Sequence, residues 1–223
     1  MNPAIIIMAK VPQAGTVKTR LQTILTAEKC AELSEAFLED TLEKAAAICR
    51  NVVLAYAPAG RKKLLAKMVS PEIITIEQTG ANLGEKMERA FRYAFARFSP
   101  VVMIGTDSPT LPARYLSEAI EALEKNSEIV LGKSTDGGFY LIGLREIIPN
   151  LFDGIEWSTP RVFEQIRRNI RDQGIENLKL LPEHYDVDTP ADLLTLKDEI
   201  FGDENARKTA QKTYRWLLAN QSE

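Results

Sequence analysis

An aspartate stands directly after an apolar run in the middle of the chain. The run Val101 to Ile104 leads shortly into Asp107, and Pro109 prevents the strand from continuing. A continuous apolar run is typical of a central strand in a parallel sheet, and such sheets bind ligands at the carboxyl ends of their strands. Asp107 is therefore predicted to face a crevice, where its oxygens suit Mg²⁺ or Mn²⁺. The alternative, that Asp107 only caps the helix starting near Pro112, stays open.

The loop after the first predicted strand is rich in cations. Ala4 to Met8 predicts that strand, and Lys10, Lys18 and Arg20 follow within eleven residues. A strand, a loop containing Gly15 and then a helix is an arrangement that presents backbone N–H groups to phosphate. A Walker loop is excluded, because that pattern needs a second glycine immediately before the lysine and this chain has a valine there. The alternative is a solvated basic helix start, although its cations would oppose the helix dipole unless an anion binds.

Four further segments place polar side chains in predicted loops. Gln78 to Glu85 carries two glycines, which either allow close approach to a flat ligand such as a base or form an ordinary turn. Asp136-Gly137-Gly138 joins two strands with no crossover helix, so a hairpin turn explains it as well as a function does. Trp157-Ser158-Thr159 precedes a helix that either hydroxyl could cap. Asp186 and Asp188 point to one side of an extended segment, and the alternative is that Asp188 or Thr189 caps the helix that starts at Pro190.

Composition and the order of predicted elements limit the fold. With 223 residues, 45% of them hydrophobic and 26% charged, the chain suits one globular domain. Predicted strands and helices alternate up to about residue 126, which indicates a three-layer α/β/α domain with a mostly parallel mixed sheet. A net charge of -3 argues against nucleic acid as a partner. No apolar run suits a membrane span or signal peptide, so the cytoplasm is expected, and Cys30 and Cys49 have neither zinc nor disulfide spacing.

Five motifs occur in a fixed order along the chain. They are Lys10-Val11-Pro12-x-x-Gly15-x-Val17-Lys18-Thr19-Arg20-Leu21, Gly105-Thr106-Asp107-Ser108-Pro109, Asp136 to Leu144, Trp157-Ser158-Thr159, and Asp186-Val187-Asp188-Thr189-Pro190. With them, over about residues 4–196, the chain resembles a bacterial family of glycosyltransferase-A-fold proteins, which are nucleotide-diphospho-sugar transferase-like. One branch of that family is named for glycosyl transfer in arsenosugar biosynthesis. The chain is similar, more distantly, to nucleotidyltransferases that make molybdenum-cofactor dinucleotides or guanylylate phospholactate.

The resemblance implies a domain layout and roles for individual residues. A transferase domain is expected over residues 1–202, with one antiparallel strand in its sheet. Beyond the resemblance, apolar spacing over residues 203–223 predicts an amphipathic helix packed on that domain. Asp107 matches the metal-binding Asp after the fourth strand, and Asp188 lies where the related nucleotidyltransferases place a second metal-binding Asp. The usual Asp-x-Asp of glycosyltransferases is Asp107-Ser108-Pro109 here, with only one carboxylate. The positions matching the nucleotide site are Lys10, Gly15, Lys18, Arg20, Gln78, Gly80, Leu83, Gly84 and Thr106.

These inferences combine into the hypothesis of a metal-dependent transferase. Mg²⁺ or Mn²⁺ and Lys18 would neutralise charge on the leaving phosphate. The acceptor pocket is assigned to Asp136, Gly137, Gly138, Trp157 and Ser158, with Asp136 as the general base. A nucleotide-sugar donor and a small-molecule acceptor are favoured because the closer resemblance is to glycosyltransferases. A nucleotidyltransferase that uses a nucleoside triphosphate, and a non-catalytic nucleotide-binding protein, are the alternatives; a homodimer is left open.

Overall fold

Seven strands form one sheet in the computed structural model, which describes residues 1–220. The strands are β1 (Ala4–Lys10), β2 (Val52–Ala57), β3 (Ile74–Glu77), β4 (Val101–Ile104), β5 (Ile129–Ser134), β6 (Phe139–Leu144) and β7 (Leu178–His184). Their order across the sheet is β3-β2-β1-β4-β6-β5-β7. Strand β6 pairs antiparallel with β4 and β5, and the other pairings are parallel. The prediction of a mostly parallel mixed sheet with one antiparallel strand is confirmed.

Helices connect the strands and cover both faces of the sheet. They are α1 (Ala27–Ile48), α2 (Lys62–Leu65), α3 (Leu83–Phe95), α4 (Ala113–Lys125), α5 (Val162–Asp172), α6 (Pro190–Gly202), α7 (Glu204–Thr209) and α8 (Gln211–Ala219), and a 3-10 turn spans Thr19–Thr23. The single helix predicted for 203–223 is divided at Ala210, whose φ of -125° and ψ of 58° are not helical. Its last three residues lie outside the described part of the chain. None of the helices within residues 1–220 is long and apolar enough to cross a membrane.

The alternation of side chains along β1 divides the core between the two faces. Ile5 and Ile7 are fully buried on the face covered by α1 and α4, whereas Ile6 is fully buried on the face covered by α3 and α5. A third apolar cluster joins Leu21 of the 3-10 turn and Phe37 of α1 to helices α6 and α8. This third cluster fixes the chain segment that follows the cationic loop onto the C-terminal helices.

The direction of the strands decides which loops meet. Strands β1, β2, β3, β4, β5 and β7 run parallel within the sheet, so the loops that follow them all emerge at one edge. That edge collects the cationic loop after β1, Asp107 after β4, and Asp186 and Asp188 after β7. The loop containing Asp136 connects β5 to the antiparallel β6 at the same edge. The fold therefore brings the predicted functional segments to one side of the domain.

Candidate active site

Lys18 lies at the centre of this edge of the sheet. Its backbone adopts a left-handed conformation, with φ of 46°, between the cationic loop and the 3-10 turn. The ammonium group donates hydrogen bonds to Asp107 Oδ1, to Asp188 Oδ1 at 3.2 Å and to the carbonyl oxygen of Val187 at 2.7 Å. The ring of Phe37 lies 5.2 Å from the same nitrogen. The Lys18 nitrogen, from the N-terminal part of the chain, therefore contacts Asp107 from the middle and Asp188 from the C-terminal part.

The electrostatics of this contact favour a charged lysine. Only 5% of the Lys18 side chain is exposed, and burial by itself disfavours the ammonium form. The negative charges of Asp107 and Asp188, and their hydrogen bonds to the ammonium, outweigh that burial and raise the pKa of Lys18. Lys18 is thus a charged group held inside the site by two carboxylates.

The two carboxylates remain accessible to a ligand, and neither is a helix cap. Helix α4 has Pro112 at its N-terminal cap and no side-chain cap, so the capping alternative for Asp107 is excluded. Thr189, not Asp188, caps α6, in a reciprocal pair with Asp192. The side chains of Asp107 and Asp188 are 47% and 44% exposed. Both therefore present oxygen atoms to the solvent side of the cleft.

Asp186 holds the two carboxylate-bearing loops together. Its carboxylate accepts hydrogen bonds from Ser108 Oγ and, at 2.7 Å, from Ser134 Oγ. The backbone N–H of Val187 also donates to the carbonyl of Asp107 at 2.8 Å. Burial raises the pKa of Asp186 to about 6, although the serine hydrogen bonds act in the opposite direction. Sequence reasoning paired Asp186 with Asp188 but missed this connecting role, for which Ser108 beside Asp107 was the only local signal.

A second polar network, defined by Lys44, Thr110, Tyr185 and Glu199, lies behind the site. The Glu199 carboxylate accepts hydrogen bonds from Tyr185 and, at 2.8 Å, from Thr110 Oγ1. The Lys44 ammonium donates to the carbonyl of Pro109 at 2.8 Å. Thr110 and Lys44 are both buried. This rear network ties the loop after β4 and the segment after β7 to helices α1 and α6, and sequence reasoning missed it.

Changing Tyr185 to Phe tests the contribution of the rear network to stability. The change removes a hydrogen bond to a carboxylate, so we expect the unfolding free energy to fall by about 1 to 3 kcal/mol. Urea denaturation measures this loss. Tyr214→Phe is the matched control, because the Tyr214 ring packs against Phe201 and Arg207. Equal losses in the two variants would show that the Tyr185 hydroxyl has no special role.

The oxygen donors of the cleft fit a hard divalent cation. Asp107 and Asp188 contact the same Lys18 nitrogen, so their side chains converge on one point. No cluster of three or more His, Cys, Asp and Glu side chains suitable for a metal occurs among residues 1–220. Mg²⁺ is usually held by one or two carboxylates, with water and substrate phosphates as its other ligands. The pair could therefore hold Mg²⁺ or Mn²⁺ together with a phosphate-bearing substrate.

The cationic loop and the glycine loop line other parts of the same edge. Lys10 and Arg20 are exposed, and Gly15, with φ of 80°, has open space around its Cα. The amide nitrogen of Gln78 instead donates to Ala9 O at 3.1 Å and Ala55 O at 2.8 Å. Gln78 therefore fixes the glycine loop to the ends of β1 and β2, and only its side-chain oxygen is left for a ligand.

The glycine loop also meets the predicted acceptor segment. A Cβ at Gly84 would lie 2.9 Å from the Trp157 ring and 3.0 Å from Phe152 Cβ, so these groups are already in close contact. At Gly80, φ is 141° and a Cβ would lie 2.7 Å from Glu85 Cβ. The Leu83 side chain is exposed. Two segments given separate roles, base binding and acceptor binding, are thus adjacent at Trp157.

The Asp136 loop packs against the loop that precedes α5. Asp136 accepts a hydrogen bond from Gly138 N at 2.8 Å, which is the turn predicted as its structural role. The Gly137 carbonyl accepts a hydrogen bond from Phe163 N at 2.9 Å.

Helix α5 has Arg161 at its N-terminal cap and no side-chain cap, so the prediction that Ser158 or Thr159 caps this helix is wrong. Ser158 instead has φ of 63°, a conformation that turns the backbone away from a helical start.

Gly137→Ala should disrupt this loop contact. At φ of 90°, an added Cβ would lie 2.2 Å from the Pro160 carbonyl oxygen, and backbone atoms cannot move aside as a flexible side chain can. We expect the unfolding free energy to fall by about 2 to 4 kcal/mol in urea denaturation. At Gly138 the nearest atom to a new Cβ is Asp136 Oδ1, at 3.1 Å, which can shift. Gly138→Ala should therefore cost less than about 1 kcal/mol, and equal costs would contradict the packing argument.

The fold, together with the solved structures described below, supports a nucleotide-utilising α/β transferase in general. The chain belongs to the family described as "Uncharacterized protein conserved in bacteria (DUF2064)", whose model matches residues 40–159. That match includes Asp107, whereas Lys18 and Asp188 lie outside it. No curated protein matches the sequence.

Solved structures support the family and the fold. A protein from Desulfovibrio desulfuricans G20, provisionally named a nucleotide-diphospho-sugar transferase, is 30% identical, with a TM-score of 0.91 and coverage of 99% of this chain and 96% of that one. A cytidylyltransferase from Leptospira borgpetersenii serovar Hardjo-bovis (strain JB197) is 15% identical, with a TM-score of 0.61 and coverage of 100% and 96%. A CMP:2-keto-3-deoxy-manno-octonic acid synthetase complexed with CTP is 11% identical, with a TM-score of 0.60 and coverage of 91% and 99%. The last two show the shared fold alone.

Proposed function

We propose that the protein is a metal-dependent transferase that uses a nucleotide-sugar donor to glycosylate a small-molecule acceptor. The observation that carries the proposal is the convergence of Asp107, Asp188 and Lys18 at the edge of the sheet where the parallel strands end. Ligands of open α/β sheets bind at such an edge. The 30% identical relative, whose provisional name gives it a nucleotide-diphospho-sugar substrate, supports the choice of donor.

Different residues of the cleft would bind the metal ion, the diphosphate and the base. Asp107 and Asp188 would hold Mg²⁺ or Mn²⁺, which supplies positive charge to stabilise a leaving phosphate. Lys10 and Arg20, both exposed, and the open backbone at Gly15 would bind the diphosphate. The glycine loop from Gln78 to Gly84 would lie against the base.

The acceptor would enter between the Asp136 loop and Trp157. Its hydroxyl oxygen attacks the anomeric carbon, and the bond from that carbon to the phosphate oxygen breaks, releasing a nucleoside diphosphate. Asp136 takes the hydroxyl proton as general base. Ser134, in the strand that leads into the Asp136 loop, donates a hydrogen bond to the Asp186 carboxylate at 2.7 Å, which supports a place for this loop beside the carboxylate-bearing loops.

Nucleotidyl transfer is the second candidate. It is favoured because the second carboxylate of the site, Asp188, comes from the segment after β7 and not from the segment that contains Asp107. Pro109 stands where the usual Asp-x-Asp has its second aspartate, and Asp188 from a distant segment approaches Lys18 beside Asp107 instead. The resemblance described above assigns that position to nucleotidyltransferases. In this reaction a phosphorylated acceptor attacks the α-phosphorus of a nucleoside triphosphate, and pyrophosphate leaves.

The leaving group distinguishes the candidates. A thermal-shift screen of nucleoside diphosphates, triphosphates and nucleotide sugars, each with and without Mn²⁺, first identifies the base. The stabilising donor is then incubated with an acceptor panel, and the released phosphate compound is identified by chromatography. A nucleoside diphosphate supports glycosyl transfer, and pyrophosphate supports nucleotidyl transfer. Stabilisation by nucleotides with no release from any donor would overturn both and leave a non-catalytic nucleotide-binding protein.

A further inference from the structure

We propose that Lys18 is a built-in competitor for the divalent cation, because its ammonium group lowers the affinity of the two carboxylates for a metal ion that binds without a nucleotide. The inference rests on the proposed function only in placing the ion at Asp107 and Asp188. It concerns metal affinity, and it holds whichever transfer reaction the protein performs.

The ammonium group of Lys18 is saturated by hydrogen bonds within the protein. An ammonium group has three N–H donors, and Lys18 has three acceptors: Asp107 Oδ1, Asp188 Oδ1 and the Val187 carbonyl. All of its donors are therefore used. In this arrangement Lys18 has no donor left for a phosphate, so binding phosphate and bridging the carboxylates are mutually exclusive.

The positive charge of Lys18 also competes with a metal ion for the two carboxylates. Asp107 and Asp188 carry two negative charges, and the buried ammonium already neutralises one of them. A divalent ion on the same carboxylate oxygens would lie next to the ammonium, and repulsion between them is weakly screened because only 5% of the Lys18 side chain is exposed. The metal ion must therefore displace Lys18 or bind against its charge. Either way, Lys18 lowers the affinity for a metal that arrives without a nucleotide.

A nucleotide changes this balance. Its phosphates are acceptors for the ammonium that the metal displaces, so the cost of breaking the three Lys18 contacts is recovered when metal and nucleotide bind together. Binding of the two ligands is then cooperative, and the coupling is reciprocal. The lysine would thus favour entry of the metal as a complex with the nucleotide over entry of the free ion.

A Mn²⁺ titration without nucleotide tests the sign of the effect. Free Mn²⁺ is measured by electron paramagnetic resonance in the wild-type chain and in Lys18→Met. We expect Lys18→Met to bind Mn²⁺ about tenfold or more tightly, because the competing charge is gone. Lys18→Gln keeps an N–H donor without the charge, and it should also bind Mn²⁺ more tightly than wild type. This second variant gives a result even if Lys18→Met folds poorly. Adding Asp107→Asn to either variant should abolish the gain, which places the ion at this site.

Lys10→Met is the matched control, because it removes the same charge from an exposed position at the end of β1, where the cationic loop begins. We expect its Mn²⁺ affinity to stay within about twofold of wild type, since an exposed charge is well screened. Unchanged or weaker binding in both Lys18 variants would overturn the inference and make Lys18 an organiser of the carboxylates. An equal gain in Lys10→Met would also overturn it, since net charge would then explain the result. Tighter Mn²⁺ binding with no turnover of any donor would overturn the proposed function and leave this inference standing.

Discussion

Asp107→Asn is expected to lower transferase activity by at least about a hundredfold. Asparagine keeps the size of the side chain but removes the charge that would hold the metal. The variant also loses one of the two charges that neutralise the buried Lys18 ammonium. The measurement is initial rate of leaving-group release at saturating Mn²⁺, with the donor that the thermal-shift screen identifies.

Asp198→Asn is the control for this change, because Asp198 is an exposed carboxylate on α6. Its activity should remain within about twofold of wild type, as surface substitutions away from special features have small effects. Thermal denaturation of both variants separates a loss of activity from a loss of fold. If Asp107→Asn remained folded and kept more than about a tenth of the activity, the metal role of Asp107 would be wrong.

The alternation of strands and helices could be predicted because the burial of each strand is visible in its own residues. The run Val101 to Ile104 is apolar because β4 is central in the sheet, between β1 and β6, and covered on both faces. The break at Ala210 was not visible, because the apolar spacing continues across it while its backbone is not helical. Local pattern therefore predicted which segments form helices and strands, but not where a long helix divides.

The site could be predicted only in part, because its contacts join residues that are distant in the chain. Asp107 was found because its strand ends there. The contact of Lys18 with Asp188 spans 170 positions, and only the family resemblance pointed to a shared site. Glu199 looks like an ordinary charge on a helix surface. Its partners, Thr110 and Tyr185, come from two different loops, so its role depends on how α6 packs behind them.

Lys44 is another residue of the rear network that sequence reasoning missed, and it is expected to make stability depend on pH. It lies in α1, is buried, and donates to the Pro109 carbonyl two residues after Asp107. Burial lowers the pKa of Lys44 to about 7, although the negative charges of Asp40 and Glu199 act in the opposite direction. The other titratable group close to it is His184, whose own pKa is lowered to about 4 by burial and by the charge of Lys44.

The sign of the pH dependence follows from the two pKa values of Lys44. In the unfolded chain the lysine titrates near 10.5, whereas in the folded chain it titrates near 7. Between these values the unfolded state binds more protons than the native state, so the unfolding free energy rises with pH by up to about 1.4 kcal/mol per unit. Below about pH 7 both states hold the proton, and the cost of burying the charge is fully present.

Lys44→Met should remove this rise. We expect the unfolding free energy of the wild-type chain, relative to that of the variant, to increase by about 2 kcal/mol between pH 7.5 and 9.5 in urea denaturation. Asp40, Glu199 and His184 are present in both chains, so their own titration largely cancels in the comparison. Lys125→Met, at a lysine side chain that is 74% exposed, should run parallel to wild type across this range. Parallel curves for Lys44→Met as well would mean that the folded protein holds Lys44 charged at neutral pH, with Asp40 and Glu199 neutralising it behind the Asp107 loop.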